Sequence, residues 1–136
     1  VDCDFREHYF TLHAEAPETH PRLAQMAVFD LVANNTDRKS GHVLRGGDGQ
    51  VWGIDHGLCF SAVFKLRTVI WDFAGDPVPE VLLEDIAPLA VDVPEAIAGL
   101  LDPAEVPALQ RRVRRLLHER VLPHDPTGMR YPWPLV

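Results

Sequence analysis

Basic charge, lysine, cysteine and long apolar runs are all scarce in this chain. Among 136 residues, 20 Asp and Glu stand against 13 Lys and Arg, for a formal net charge of −7. Binding to a phosphate backbone draws on basic residues that displace counterions, so this balance disfavours nucleic acid as a partner. An acidic chain must recruit cations to meet an anionic ligand. Apolar runs are no longer than about five residues, against the ~20 that a transmembrane helix needs, and no basic-plus-apolar leader opens the sequence. No membrane-spanning segment is therefore expected, and a cytoplasmic location is. The two cysteines, Cys3 and Cys59, lack metal-type spacing and are too few for a disulfide framework, which suits a reducing compartment. Lysine is confined to Lys39 and Lys65.

What is present is enough apolar material for a core. At 46% apolar, and within the roughly 100–200 residues of an ordinary domain, residues 1–136 read as a single domain. Residues 1–20 form its lead-in segment and 123–136 a Pro-rich tail. Ten of the twelve prolines, clustered at 77–79, 88–107 and 123–134, divide the second half into short pieces and leave the tail loosely packed in expectation. Between Asp72 and Glu105 lie nine acidic residues and no basic one. Arg111, Arg112, Arg114, Arg115 and Arg120 follow, reading as a solvated helix face that compensates the acidic stretch, with a lipid-headgroup patch as the alternative.

Residues 1–20 mix Phe5, Tyr9 and Phe10 with His8, His13 and His20, and are expected to start extended, with a loop at 14–21. From Pro21 to about Asn34, Leu23, Met26, Ala27 and Leu31 keep helical spacing, widened by Val28, Phe29 and Val32. Val43-Leu44, a Gly46-Gly47-Asp48-Gly49 turn and Val51-Trp52-Gly53-Ile54 predict a hairpin with a four-residue loop. Helices are expected at about 64–74, 80–89, 94–101 and 103–121, the last with Asp102 as N-cap, Pro103 at its first position and Glu105 completing a capping box. The fold class is α+β, mainly helical.

The polar loop Asn34 to His42 sits between a buried helix and a strand, where functional groups are commonly displayed. Ile54-Asp55-His56-Gly57 follows the hairpin, with Gly57 expected to let the chain turn. A four-residue turn would pair Leu44 with Val51, set His42 opposite Gly53 and make Asp55 its diagonal neighbour at about 7–8 Å. With Asp37 from the adjoining loop, two carboxylates and an imidazole converge, a set suited to a hard divalent cation and a phosphate. The plainer readings are that Asp37 and Asp55 cap loop amides, Lys39 is a solvated charge, His42 braces a strand, and His56 points to solvent. A zinc site of His8, His13, His20 and His42 lacks any motif spacing. Trp71 and Trp133 read as core or tail anchors.

Phe29-Asp30-Leu31-Val32-Ala33-Asn34-Asn35-Thr36-Asp37-Arg38 resembles the catalytic loop of type II phosphatidylinositol 4-kinases, and Ile54-Asp55-His56-Gly57-Leu58-Cys59-Phe60 resembles their metal-binding segment. The run Asp-Arg-Lys-x-Gly-His-Val-Leu with Asp-His-Gly is similar to an actinobacterial family of phosphatidylinositol 3-/4-kinase-like proteins. The resemblance covers residues 22–75 strongly and the remainder to Trp133 more weakly. It implies the C-terminal lobe of a protein-kinase-like fold, with a small hairpin at the active site, acting with ATP and Mg2+. Asp37 would orient an acceptor hydroxyl and take its proton, Asp55 would ligate the magnesium that bridges ATP phosphates, and Lys39 would neutralise the transferring phosphoryl group. Asp30 and Asn35 would brace the loop. His42 stands where this superfamily usually places an asparagine as second metal ligand; an imidazole there would hold metal differently, leave out the second ion, or serve as a hydrogen-bond donor. The acceptor is a lipid, protein or small-molecule hydroxyl. The ATP-clamping N-terminal lobe, with its lysine and Gly-rich loop, is absent from these residues and would come from a longer chain. The alternatives are an inactive pseudokinase-like module that binds a nucleotide or protein, and metal-dependent phosphoester hydrolysis.

Overall fold

The computed structural model describes residues 2–136, a small α+β domain whose helices pack around one apolar core beside a two-stranded antiparallel sheet. The first helix, α1 (Tyr9–Glu15), replaces the expected extended start. The His8 amide donates to Thr11 Oγ1 at 3.0 Å, satisfying one of the unpaired N–H groups of a helix start, and Tyr9 and Leu12, one turn apart, are buried. After a 3-10 turn at Pro17–Thr19 comes α2 (His20–Ala33), close to its expected span. Leu23, Met26, Ala27 and Val28 enter the core from it.

The hairpin lies where the sequence places it, but in a different register. Strands β1 (Val43–Arg45) and β2 (Val51–Gly53) pair Val43 with Gly53, Leu44 with Trp52 and Arg45 with Val51. The reason lies in the turn. The Gly46 amide donates to the Gln50 carbonyl at 2.8 Å, which extends the ladder by one pair, and Gly49 takes a left-handed φ of 82° to close the loop. His42 consequently faces Ile54, whose amide donates to the His42 carbonyl at 2.9 Å, instead of Gly53.

Residues 64–74 are not helical. Leu66, Val69, Ile70 and Phe73 are buried at helix-like spacing, yet their segment runs extended beside the polar loop, with Arg38 and Thr68 forming a parallel bridge. Its backbone bonds go to that loop: Arg67 N–H to Asn35 O, Arg38 N–H to Arg67 O and Val69 N–H to Arg38 O, at 3.0–3.1 Å. The helices α3 (Glu80–Ile86), α4 (Glu95–Ala98) and α5 (Glu105–Glu119) follow, each shorter than expected, with a 3-10 turn at Ala87–Ala90. Ala104, not Asp102, precedes α5; the Asp102 amide donates to Glu105 Oε1 at 2.7 Å, which is one half of the expected box. Ala108, Leu109, Val113 and Leu116 bury its inner stripe.

The tail is not loose. Its carbonyls accept from the body of the domain: Arg130 O from Thr68 N–H (3.1 Å) and the Trp71 indole (3.1 Å), and Leu135 O from Ser40 N–H (2.7 Å). Trp71 is thus an anchor, whereas Trp133 is 77% exposed and anchors nothing in the core. Among the described residues no helix is long and apolar enough to cross a membrane.

Candidate metal centre

The site is built on a buried ion pair. Arg38 is fully buried, and its guanidinium grips Asp30 of α2 with two bonds, Nε to Oδ2 and Nη2 to Oδ1, both 2.9 Å. Such a fork is the strongest geometry available to an arginine and a carboxylate. Nη1 reaches the carbonyls of His42 (3.3 Å) and Ile54 (3.2 Å), on both sides of the hairpin's open end. One side chain therefore fixes α2, the polar loop and both strands relative to each other. Asn35 completes the base: its Nδ2 donates to Asp30 Oδ1 (3.1 Å) and its Oδ1 accepts the Asp37 amide (3.0 Å). Asn34 ends α2 in a left-handed conformation, φ 54°, and donates to the carbonyls of Ser61 and Val63 while accepting the Lys65 amide.

Above this base, one ligand atom from each of Asp37, His42 and Asp55 lies within 4.8 Å of the others, the one grouping of three or more such residues among those described. His42 Nδ1 is 2.8 Å from the Asp37 carbonyl. A carbonyl only accepts, so Nδ1 carries a proton and Nε2 is the nitrogen left for a ligand. The Lys39 amide also points at Nδ1, but from 3.4 Å, and the nearer carbonyl decides the tautomer. His42 Nε2 faces Asp55 Oδ2 at 3.3 Å. Metal-binding histidines are commonly oriented in this way, by a bond from the second ring nitrogen.

The hairpin alone does not bring Asp55 to His42. In the observed register residue 55 lies one position beyond the His42–Ile54 pair, and successive strand residues project to opposite faces. Asp55 instead has φ 60°, and this left-handed turn swings the chain back. Gly57 does not carry the turn: the glycines with positive φ are elsewhere. A non-glycine residue held in this region stores strain of about 1 kcal/mol or more, which surrounding contacts must offset. Here the Thr36 amide supplies one such contact, donating to the Leu58 carbonyl at 2.9 Å and tying the turn to the loop that carries Asp37.

The carboxylate of Asp55 is 63% exposed and that of Asp37 30%, so the grouping opens to solvent on the Asp55 side. Lys39 Nζ lies 4.0 Å from Asp37 Oδ1. His56 stays outside the grouping, exposed and edge-on to Phe29 at 5.1 Å; partial desolvation and the nearby Arg38 charge push its pKa down. Burial pushes the Cys59 thiol up, away from thiolate chemistry. The remaining histidines do not assemble a zinc site with His42: His13 and His20 stack on each other at 4.7 Å and His8 Nδ1 bonds Ser40 Oγ at 2.7 Å. Arg38 is the residue that sequence reasoning passed over as one polar loop side chain among several. The available signal was Asp30, an acid on the otherwise apolar buried face of α2.

No family model matches the chain. Over 118 residues it is 50% identical to Protein Rv2133c of Mycobacterium tuberculosis, an alignment that takes in 83% of this chain and 42% of that protein. The chain thus spans about two fifths of the length of the curated relative it matches. No solved structure matches it.

Proposed function

We propose that this domain is the catalytic lobe of a kinase-like phosphotransferase that moves the terminal phosphoryl group of ATP to a hydroxyl acceptor with Mg2+. The observation that carries the reading is the Asp37–His42–Asp55 grouping on the buried Arg38–Asp30 pair, in the order loop, hairpin, acid that the resemblance to phosphatidylinositol kinases calls for. The donor set fits the ion: two carboxylates offer the hard oxygens that Mg2+ takes, and the imidazole admits Mn2+ as well. Bound there, the ion would neutralise phosphate charge during transfer.

The chain's own residues would do the rest. Asp37, whose backbone N–H donates to Asn35 Oδ1, orients the acceptor hydroxyl and takes its proton. Lys39, beside it, places an ammonium next to the transferring oxygens. Asp55 and His42 hold the cation, while Asp30 and Asn35 keep the loop in place. ATP clamping would fall to an N-terminal lobe, and more than half of Rv2133c lies outside the matched segment.

The test is Mg2+-dependent ATP turnover by the chain, together with any upstream lobe it carries, against its Asp37→Ala and Asp55→Ala variants, each expected to lose about 100-fold or more. Unchanged turnover in both would remove these residues from the reaction. The second reading, a pseudokinase-like module that binds a nucleotide or a protein, draws on His42, an imidazole whose Nδ1 bonds the Asp37 carbonyl, standing where an asparagine would be expected. A gain in turnover by His42→Asn would favour it.

A further inference from the structure

We propose that the cleft between α5 and the tail is a binding site for a small organic dianion, a phosphomonoester carried on an aromatic or apolar body. The cleft is separate from the Asp37–His42–Asp55 grouping and the inference does not depend on the phosphotransfer reading. Its volume is about 400 Å3, within the ~300–1,000 Å3 usual for small-molecule sites. Four arginines line it, Arg111, Arg112, Arg115 and Arg130, against one acid, Glu119, in a chain whose net charge is −7. A cationic concavity on an acidic protein concentrates anions.

Two of these arginines already have acidic partners. Arg115 bonds Glu119 at 3.0 Å and Arg130 lies 3.8 Å from Asp125. Arg111 and Arg112 have none among the described residues, so the two positive charges left over come from successive positions of one helix. Arg112 is the more informative. Its Nε donates to the Val32 carbonyl (2.9 Å) and its Nη1 to the Ser61 carbonyl (3.3 Å), both neutral acceptors. Its Nη2 is buried with no acceptor. A partly desolvated cation with an idle donor and no ion pair is destabilising, Glu105 acting on it only from a distance, and an anion held in the cleft offsets part of that cost. Burial and the adjacent Arg111 push the Arg112 pKa down, which has the same origin. Two guanidinia without ion-pair partners match a dianion: Arg111, which holds no internal bond, can present two parallel donors to phosphate oxygens, while Arg112, whose Nε and Nη1 are already engaged, contributes chiefly its charge. Leu31, Phe64 and Trp71 supply apolar lining of the same cleft, with Phe64 under the Arg130 guanidinium at 4.7 Å, which sets the body of the ligand.

Trp71 supplies the readout. In a Trp52→Phe, Trp133→Phe background, both replaced residues being exposed, its fluorescence is titrated with phenyl phosphate, inorganic phosphate and phenol. Saturable binding of phenyl phosphate at least about tenfold tighter than that of either fragment is expected, with a further loss of about fivefold or more in Arg111→Gln and in Arg112→Gln. Arg111 is exposed and holds no internal bond, so its variant folds even if the Arg112 one does not. Vesicles of phosphatidylcholine with phosphatidic acid are run in parallel. Retention that Arg111→Gln abolishes assigns the phosphate to a lipid headgroup, and phenyl phosphate binding without retention assigns it to a soluble ester. Phenyl phosphate that binds no better than phenol, or that is indifferent to both substitutions, overturns the proposal.

Discussion

At the scale of single residues, Arg38 and Asp30 are worth more as a pair than either is alone. Both are buried, so removing one leaves the other as an uncompensated charge away from water. Arg38→Met is expected to cost about 3–5 kcal/mol, read from the urea midpoint, and Asp30→Leu in the same chain to recover part of that loss. Gly53 shows how closely the hairpin rests on this pair, because a Cβ there would lie 3.2 Å from Arg38 Nη1. With Arg38 held by four bonds, there is little room for it to give. His42 and Asp55 test differently, being half-buried and exposed. Each offers one ligand atom of the three in the candidate centre, so if the proposed cation sits there His42→Ala and Asp55→Asn are each expected to weaken Mn2+ binding by about tenfold or more, measured by the loss of free-ion electron paramagnetic resonance signal. Equal affinity in both variants would detach the grouping from metal.

At the scale of elements, the end of α2 decides where the loop goes. Asn34 combines a left-handed backbone with three side-chain bonds to the 61–65 segment, and the two contributions are separable. Asn34→Gly loses the bonds but relaxes the backbone, whereas Asn34→Ala loses both. The alanine variant is expected to be less stable than the glycine one by about 1 kcal/mol, again by urea unfolding. The span of α2, the stripe of α5 and the place of the hairpin were legible because each rests on a local pattern, a 3.6-residue period or a Gly-Asp-Gly turn. The register was not, since one extra pair at Gly46–Gln50 changes every partner without changing composition. Residues 66–73 misled for a related reason. Leu66, Val69, Ile70 and Phe73 keep the spacing of a helix, but the backbone groups of 67–69 are claimed by Asn35 and Arg38, some thirty residues earlier, and by Arg130, some sixty later, and no local window contains both partners. The same held at the candidate site. Its residue types could be named from spacing, while the turn at Asp55 that joins them required a backbone conformation that residue type does not announce.

At the scale of the whole molecule, stability depends on a few contacts between distant parts of the chain, and α1 provides the one with the clearest signature. Tyr9 is fully buried in the core and its hydroxyl donates to Asp72, 63 positions away, fixing α1 against the segment that follows the site. Burial above all, and then the Asp72 carboxylate, raises the Tyr9 pKa well above its ordinary value of 10.0. The folded protein therefore keeps this phenol protonated at a pH where the unfolded chain has released the proton. Above the ordinary value the unfolded state binds fewer protons than the folded one, so stability falls as pH rises. Tyr9 thus contributes fully below about pH 10 and progressively less above it, toward its raised folded value. The measurement is the urea midpoint at a series of pH values from neutral to alkaline, compared with Tyr9→Phe. The variant, which lacks the hydroxyl, is expected to start lower by about 1 kcal/mol and to decline less steeply, the two curves converging at alkaline pH. Parallel curves would mean that the alkaline loss of stability arises elsewhere in the molecule and that burial in the core does not hold the proton on Tyr9.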